Sequence, residues 1–193
     1  MANRGDLPIL SFPSSADWEA WLTENHATSP GLWLKIGKRG VDEPSVTYDE
    51  ALDVALCYGW IDGQKDAHDD QYWLQRFTPR RPGGKWSQRN RDKATDLIAQ
   101  GRMRPAGLRE VEAARADGRW DAAYPGSSTA TVPDDLQQAI QANPAARAYF
   151  ETLDRQNRYA ILYRVQDAKK PETRAQRIAK FVAMLEEGKK VHP

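Results

Sequence analysis

The residues with the greatest capacity for chemistry lie between Cys57 and Asn90, where tryptophans, an acidic loop and several cations share one short segment. Asp62 could serve as a general acid or base, and the planar guanidinium of Arg76 suits carboxylate or phosphate oxygens. Further cations precede a predicted helix start, whose free N–H groups also favour an anion. We therefore take nine residues as candidate ligand-binding residues: Trp60, Asp62, Arg76, Thr78, Arg80, Arg81, Trp86, Ser87 and Asn90.

Two predicted strands, 60–65 and 72–78, form a hairpin around the acidic loop DAHDD. If the loop closes symmetrically, Asp62 lies opposite Arg76 and Trp60 lies opposite Thr78, all on one face. The other face then carries Ile61, Trp73, Gln75 and Phe77. The facing charges have two interpretations: a cross-strand ion pair, contributing at most about 1 kcal/mol when exposed, or a carboxylate that orients a guanidinium towards an anionic ligand.

Other kinds of site receive little support. Ser87 suits an N-cap, a phosphate ligand or both, but the paired glycines Gly83 and Gly84 lack the spacing of a phosphate-binding loop. Cys57, on a predicted helix among apolar residues, is interpreted as a buried structural thiol. The three histidines lack metal-ligand spacing, and the acidic loop is interpreted as a solvated tip, so we predict no metal and no cofactor.

Charge is strongly segregated along the 193 residues despite a formal net charge of +1. Residues 40–75 carry nine acidic and one basic side chain, whereas residues 76–119, the basic segment, carry twelve basic and five acidic ones. Either the two segments neutralise each other, or the basic segment binds an anion. The seven tryptophans likewise favour either an aromatic core or a lined pocket.

A single cysteine excludes an intrachain disulfide and thus a disulfide-stapled secreted scaffold. The apolar run within the first twelve residues is too short for the core of a signal peptide, and no stretch has the length of a membrane-spanning helix. These observations predict a soluble, cytoplasmic protein that does not insert into a membrane. They assign no oligomeric state.

The spacing of apolar residues predicts the elements that position the candidate site. The predicted order of elements up to Thr78 is strand, helix, strand, helix, strand, strand. The pattern T-Y-D-E at 47–50 predicts a capping box. We predict an α+β fold, with a small, mainly antiparallel four-stranded sheet and two helices in the N-terminal half, followed by an all-helical C-terminal half. The predicted regions are an α+β sheet domain (1–82), a helical pair packed on it (83–120), a linker (121–132) and a C-terminal helical region (133–193).

Three blocks together resemble the YdeI/OmpD-associated family of bacterial proteins, also described as bacteriocin-protection proteins. They are ALCYGWIDG at 55–63, RFTPRRPGGKWSQRN at 76–90 with GRMRPAG soon after, and AKKPETRAQRIAKFVAMLEEGKK at 168–190. The resemblance extends over nearly the whole chain. It implies a role in survival under envelope stress or antimicrobial peptides, and it transfers no catalytic residues.

The leading hypothesis is a non-enzymatic, stress-related binding protein whose basic segment holds a small anionic ligand or an acidic protein partner. One alternative is a small enzyme for a phosphorylated or carboxylated metabolite, with Asp62 as acid or base and arginines holding the anion. The other is a nucleic-acid-binding module, disfavoured because the acidic segment would repel a long polyanion. The stripe of Arg174, Arg177 and Lys180 is a solvated helix face or a docking surface for an acidic partner.

Overall fold

The computed structural model describes residues 6–193, which divide into two compact units between Ala123 and Tyr124. Residues 1–5, which contribute to the expectation that a signal peptide is absent, lie outside the described part. The interpretation of residues 121–132 as a linker stays a prediction. Within residues 6–193, no helix combines the length and the apolar character that crossing a membrane requires.

The N-terminal unit contains four strands and four helices. In chain order they are β1 (Ile9–Ser11), α1 (Ser15–Asn25), β2 (Leu32–Gly37), α2 (Tyr48–Cys57), β3 (Trp60–Ala67), β4 (Tyr72–Pro79), α3 (Gln88–Ala99) and α4 (Pro105–Ala116). The capping box predicted at the start of α2 is confirmed: Thr47 accepts from the backbone of Glu50, whose carboxylate accepts from the backbone of Thr47. Ser87 similarly caps α3 by accepting from the backbone N–H of Asn90.

The sheet has the strand order β1-β2-β4-β3. An α+β fold with a four-stranded sheet is therefore confirmed, but the sheet is mixed rather than mainly antiparallel. Strand β1 pairs in parallel with β2, because α1 carries the chain back across before β2 begins, whereas β4 runs antiparallel to both neighbours. Helices are also not confined to the C-terminal half, since four belong to the N-terminal unit.

The predicted hairpin register is wrong. Asp62 pairs with Phe77 and Trp60 pairs with Pro79, and the register shifts between Asp62 and Lys65. The side-chain amide of Gln75 sits at this bulge and donates to the carbonyls of Gly63 and Gln64, at 2.9 and 3.2 Å. These hydrogen bonds stabilise the irregular backbone, which a symmetric closure does not anticipate.

A one-residue slip reverses the face on which a side chain lies. Asp62 consequently shares a face with Phe77, and Arg76 lies on the opposite face beside Gly63. Ile61 pairs with Thr78, so it does not share a face of the sheet with Trp73, Gln75 and Phe77. The proposed pair of Asp62 and Arg76 does not form.

The core of the N-terminal unit is rich in aromatic side chains. Trp18 and Phe77 are fully buried with their ring centroids 5.8 Å apart, and Trp60 lies edge-on to Trp18 at 6.1 Å. The indole N–H groups of both tryptophans are hydrogen-bonded: Trp18 donates to Ala51 O, and Trp60 donates to His26 O. These tryptophans are therefore structural, and all seven tryptophans of the chain belong to this unit.

Helix α4 approaches the end of α2 so closely that a side chain has no room at the crossing. A Cβ on Gly107 would lie 2.3 Å from Cys57 O and 2.6 Å from Leu56 O. The backbone N–H of Arg104 donates to the same Cys57 carbonyl at 3.1 Å. The start of α4 is thereby fixed against the C-terminus of α2.

The C-terminal unit is helical, with α5 (Asp134–Gln141), α6 (Pro144–Thr152), α7 (Arg155–Gln166) and α8 (Pro171–Glu186). Its separate core includes Leu136, Ile140, Ile161 and Leu185. Phe181 and Leu185 are buried on one face of α8, and Ile178 and Val182 pack beside them. The spacing of these four residues is that of an amphipathic helix, so the sequence indicates this apolar face.

We expect Gly107→Ala to destabilise the N-terminal unit by about 3 kcal/mol, because a methyl group at this crossing collides with backbone atoms that cannot rotate away. Urea denaturation followed by tryptophan fluorescence measures the loss, since every tryptophan lies in this unit. Gly37→Ala is the matched control: its Cβ would meet nothing closer than 3.5 Å, so the change should stay below about 1 kcal/mol. Equal stability of the two variants would refute the close packing at Gly107.

Candidate functional site

The arginines of the predicted anion site are dispersed rather than gathered. Arg76 lies on the opposite sheet face from Asp62, and Arg81 is exposed. Arg80 is only 6% exposed, its guanidinium carbon 3.7 Å from the centroid of the Trp86 ring, and it donates to Lys85 O at 3.0 Å. A buried guanidinium stacked on an indole stabilises the loop that carries it. Arg80 and Trp86 therefore have a structural explanation.

Asp62 lies instead in a polar network at the starts of α2 and α3. Its carboxylate accepts from the hydroxyl of Tyr48 at 2.8 Å and from the side-chain amide of Asn90 at 3.3 Å. The Tyr48 hydroxyl in turn accepts from Arg89 at 3.2 Å. Burial, followed by the nearby charge of Asp62, raises the pKa of Tyr48, which keeps this hydroxyl protonated as a donor.

This network joins three elements around one half-buried carboxylate: Tyr48 begins α2, Asp62 belongs to β3 and Asn90 lies in the first turn of α3. Of the candidate residues, the structure therefore brings Asp62 and Asn90 together, with Ser87 capping the same helix. Sequence reasoning missed Tyr48 and Arg89 as their partners. Trp60 instead packs in the core, and Thr78 lies against Gly31, where its methyl group leaves no space for a side chain.

The acidic and basic segments meet along α2 and α3. Arg89 pairs with Asp49 at 2.7 Å, and Lys93 pairs with Asp53 at 2.7 Å and with Asp49 at 3.6 Å. Part of the charge that is segregated between these two segments is therefore neutralised within the chain. In the C-terminal unit, Arg174 of the basic stripe pairs with Asp135.

A second cluster, which sequence reasoning did not predict, lies beside α4. A pocket of about 420 Å³, here called the basic pocket, has seven lining residues: Thr23, His26, Tyr58, Arg104, Pro105, Ala106 and Arg109. None of them is acidic. Two guanidinium groups provide donors of the kind that bind carboxylate or phosphate oxygens, and an imidazole and two hydroxyls add further polar atoms to the lining. The basic pocket is therefore the candidate site for an anion.

Hydrogen bonds fix the walls of the basic pocket. Thr23 Oγ1 and Tyr58 Oη lie 2.7 Å apart, and His26 Nδ1 lies 2.9 Å from Leu22 O, to which it donates. That bond leaves Nε2 as the second polar atom of the imidazole. The carbonyl of His26 accepts from the buried indole of Trp60, which connects this wall to the core.

The two arginines of the basic pocket differ in their partners. Arg104 donates to Glu19 Oε1 at 2.7 Å, and this hydrogen bond is the main cause of the raised pKa of Arg104. Arg109 makes no side-chain hydrogen bond or ion pair within the part of the chain that the structure describes. An arginine with unused donors beside a concave surface leaves its charge available for a ligand.

The GRMRPAG block contains the one sequence signal that could have indicated this site. Pro105 favours the first turn of a helix, and the following glycine is typical of a close backbone approach. The other lining residues are separated by up to 86 positions, from Thr23 to Arg109, so no local pattern connects them.

Cys57 has a protonated thiol in the folded protein. It is 3% exposed, and burial raises its pKa to about 11. This agrees with its interpretation as a structural thiol. Residues 6–193 contain no group of three or more histidine, cysteine, aspartate or glutamate side chains arranged to hold a metal ion.

Two family models match the chain. Residues 10–110 match a domain of unknown function (DUF8412), which spans slightly more than half of the chain, and residues 129–188 match a domain described as "Bacteriocin-protection, YdeI or OmpD-Associated". The chain therefore belongs to the family of the first domain and carries a YdeI/OmpD-associated domain after it. Searches of curated proteins and of solved structures gave no match.

The resemblance to the YdeI/OmpD-associated family is thus confirmed, over a shorter range than the three blocks imply. The block at 168–190 overlaps the matched C-terminal domain, whereas the blocks at 55–63 and 76–90 lie in the domain of unknown function. Both the Asp62 network and the basic pocket lie within residues 10–110.

We expect Tyr48→Phe to lower the free energy of unfolding of the N-terminal unit by about 1–2 kcal/mol, because the half-buried Asp62 carboxylate loses one of its two donors. Urea denaturation followed by tryptophan fluorescence measures the effect. Arg89→Gln is the control for the exposed end of the network, and its cost should stay below about 1 kcal/mol. A Tyr48→Phe variant as stable as the parent protein would show that the network carries no stability.

We expect the Cys57 thiol to react with a disulfide reagent at pH 8 at least about a hundredfold more slowly in the folded protein than in denaturant, because a pKa of about 11 leaves little thiolate. The rate in the folded protein should rise as pH increases towards 11. Absorbance of the released thiol measures both rates. Equal rates with and without denaturant would contradict the buried, protonated thiol.

Proposed function

We propose that this protein is a non-enzymatic, stress-related binding protein that holds a small anionic ligand in the basic pocket. The anion-binding role inferred for residues 76–119 is kept but assigned to Arg104 and Arg109, with His26 and Tyr58 as further polar lining residues. Arg76, Arg80 and Arg81 are left out, because Arg76 lies on the sheet face opposite to Asp62 and Arg80 is stacked on Trp86. Neither Arg76, Arg80 nor Arg81 lines the basic pocket.

The observation that carries the proposal is the unused guanidinium of Arg109 at a pocket without an acidic lining residue. Other cations of this segment have acidic partners, as with Arg89 and Lys93 against the acids of α2. Because Arg104 already pairs with Glu19, Arg109 is the arginine of this pocket whose charge has no counter-ion within residues 6–193. An anion bound there supplies the missing negative charge and forms new hydrogen bonds.

The pocket's dimensions set the size of the ligand. A cavity of about 420 Å³ is within the range of small-molecule sites and too small for a folded partner. This favours a small anion over an acidic protein. The enzyme alternative, with Asp62 as acid or base, and the nucleic-acid alternative both stay predictions.

The family description supplies the biological setting of the proposal. The domain matched by residues 129–188 is described by bacteriocin protection, and we extend a stress-related role to this chain on that basis. A cytoplasmic location is also proposed, on the sequence arguments alone. In this setting, the N-terminal unit binds the anion, and the C-terminal domain carries the function that the family description names.

We expect Arg109→Gln to weaken the binding of inorganic phosphate at least about tenfold, since a charge-assisted hydrogen bond contributes about 1.5–3 kcal/mol. Isothermal titration calorimetry of the full chain in a phosphate-free buffer measures the affinity. The matched control is Arg81→Gln, which removes an equally exposed arginine from the segment that the sequence favoured. Its affinity for phosphate should equal that of the parent protein.

Two results would contradict the assignment to the basic pocket. One is the absence of phosphate binding by the parent protein at millimolar concentrations. The other is a loss of binding with Arg81→Gln that Arg109→Gln does not produce. A single-stranded oligonucleotide provides a further comparison, because binding that is stronger for the polymer and falls steeply with salt would favour the nucleic-acid alternative.

A further inference from the structure

Arg104 lies on the wall between two pockets. Besides the basic pocket, it lines a smaller one of about 200 Å³, here called the side pocket, together with Glu19, Val54, Cys57, Gly101 and Arg102. Arg104 therefore lines two adjacent concavities. Each concavity also has an arginine of its own, Arg109 in the basic pocket and Arg102 in the side pocket.

Arg102 resembles Arg109 in having unused donors. Its backbone N–H donates to Leu97 O, but its side chain makes no hydrogen bond or ion pair within residues 6–193. Three arginines thus line the two pockets: Arg102 the side pocket, Arg109 the basic pocket and Arg104 both. Their only acidic neighbour among the lining residues is Glu19, which pairs with Arg104.

We propose that the two pockets together bind a diphosphate, with one phosphoryl group between Arg104 and Arg109 and the other between Arg102 and Arg104. The inference rests on the proposed function and specifies its ligand class. A ligand with two linked anionic groups uses all three guanidinium groups, whereas a single anion uses the basic pocket alone. The planar fork of each arginine provides paired donors for phosphate oxygens.

Glu19 has a definite role in this arrangement: its carboxylate occupies Arg104 when no ligand is bound. The ion pair is partly exposed, with 38% of the Glu19 side chain and 53% of the Arg104 side chain accessible. Exposed pairs of this kind are weak, so a ligand with more negative charge displaces the carboxylate. Glu19 is thus a built-in competitor, and removing its charge should strengthen binding.

The Tyr58 hydroxyl lies where it can respond to this exchange. It is 3.4 Å from Glu19 Oε1 and 2.7 Å from Thr23 Oγ1. When Glu19 leaves Arg104, the hydroxyl remains in the wall of the basic pocket as a donor for a phosphoryl oxygen.

The experiment compares pyrophosphate with inorganic phosphate by isothermal titration calorimetry of the full chain. Pyrophosphate should bind at least about tenfold more tightly, because the second phosphoryl group adds a charge-assisted interaction. Arg102→Gln should lower the ratio of the two affinities towards one. Glu19→Gln should raise the affinity for pyrophosphate about fivefold, the amount expected from removing a weak competing ion pair.

Succinate, a dicarboxylate with two linked anionic groups, is the comparison for ligand class. We expect it to bind more weakly than pyrophosphate, because it carries less charge and fewer oxygens for three guanidinium groups. Equal or tighter binding of succinate would overturn the assignment to diphosphates. Thermal unfolding of Arg102→Gln and Glu19→Gln, both changes at partly exposed or exposed positions, verifies that each variant is folded.

The outcomes separate this inference from the proposed function. The two-pocket inference is wrong if phosphate and pyrophosphate bind equally and neither Arg102→Gln nor Glu19→Gln changes the two affinities. If Arg109→Gln then abolishes the binding of both ligands, a single-anion site remains. If neither probe binds the parent protein, the proposed function itself fails. A gain of affinity in Glu19→Gln is the result that a merely structural role of this glutamate does not produce.

Discussion

The backbone contact between α4 and the end of α2 is the constraint on which the candidate site depends. Gly107 allows α4 to approach the carbonyls of Leu56 and Cys57, and the N–H of Arg104 donates to that same Cys57 carbonyl. Because Tyr58 immediately follows α2, this contact sets Arg104 against Tyr58 and Glu19. Arg109, slightly more than one turn further along α4, then lines the same pocket. A glycine without chemistry of its own thus determines where two cations lie.

Much of the fold could be predicted from local signals. The capping box at Thr47, the N-cap at Ser87 and the proline at the start of α4 each act within a few residues, and the structure has all three as the sequence indicates. The apolar face of α8, with apolar residues at helical spacing, is likewise a local signal. The parallel pairing of β1 with β2 could not be predicted in this way, because strand direction depends on a crossover that no local pattern records.

The candidate site was harder to predict, because Gln75 affects which side chains share a face of the sheet. The amide of Gln75 stabilises a bulge in β3, and the resulting shift puts Asp62 and Arg76 on different faces of the sheet. Asp62 then binds Tyr48 and Asn90, which the sequence separates from it by 14 and 28 positions. Arg80, a plausible ligand by charge alone, is stacked on Trp86. Charge density along the sequence therefore does not show how the individual arginines are arranged in the fold.

A crystal structure of the full chain with pyrophosphate bound tests the two-pocket site most directly. We expect ordered phosphoryl groups against Arg104, with Arg102 and Arg109 on either side and the Glu19 carboxylate moved away from Arg104. An anion bound instead beside Arg76 or Arg81, with the Glu19–Arg104 pair intact and both pockets empty, would contradict the two-pocket site.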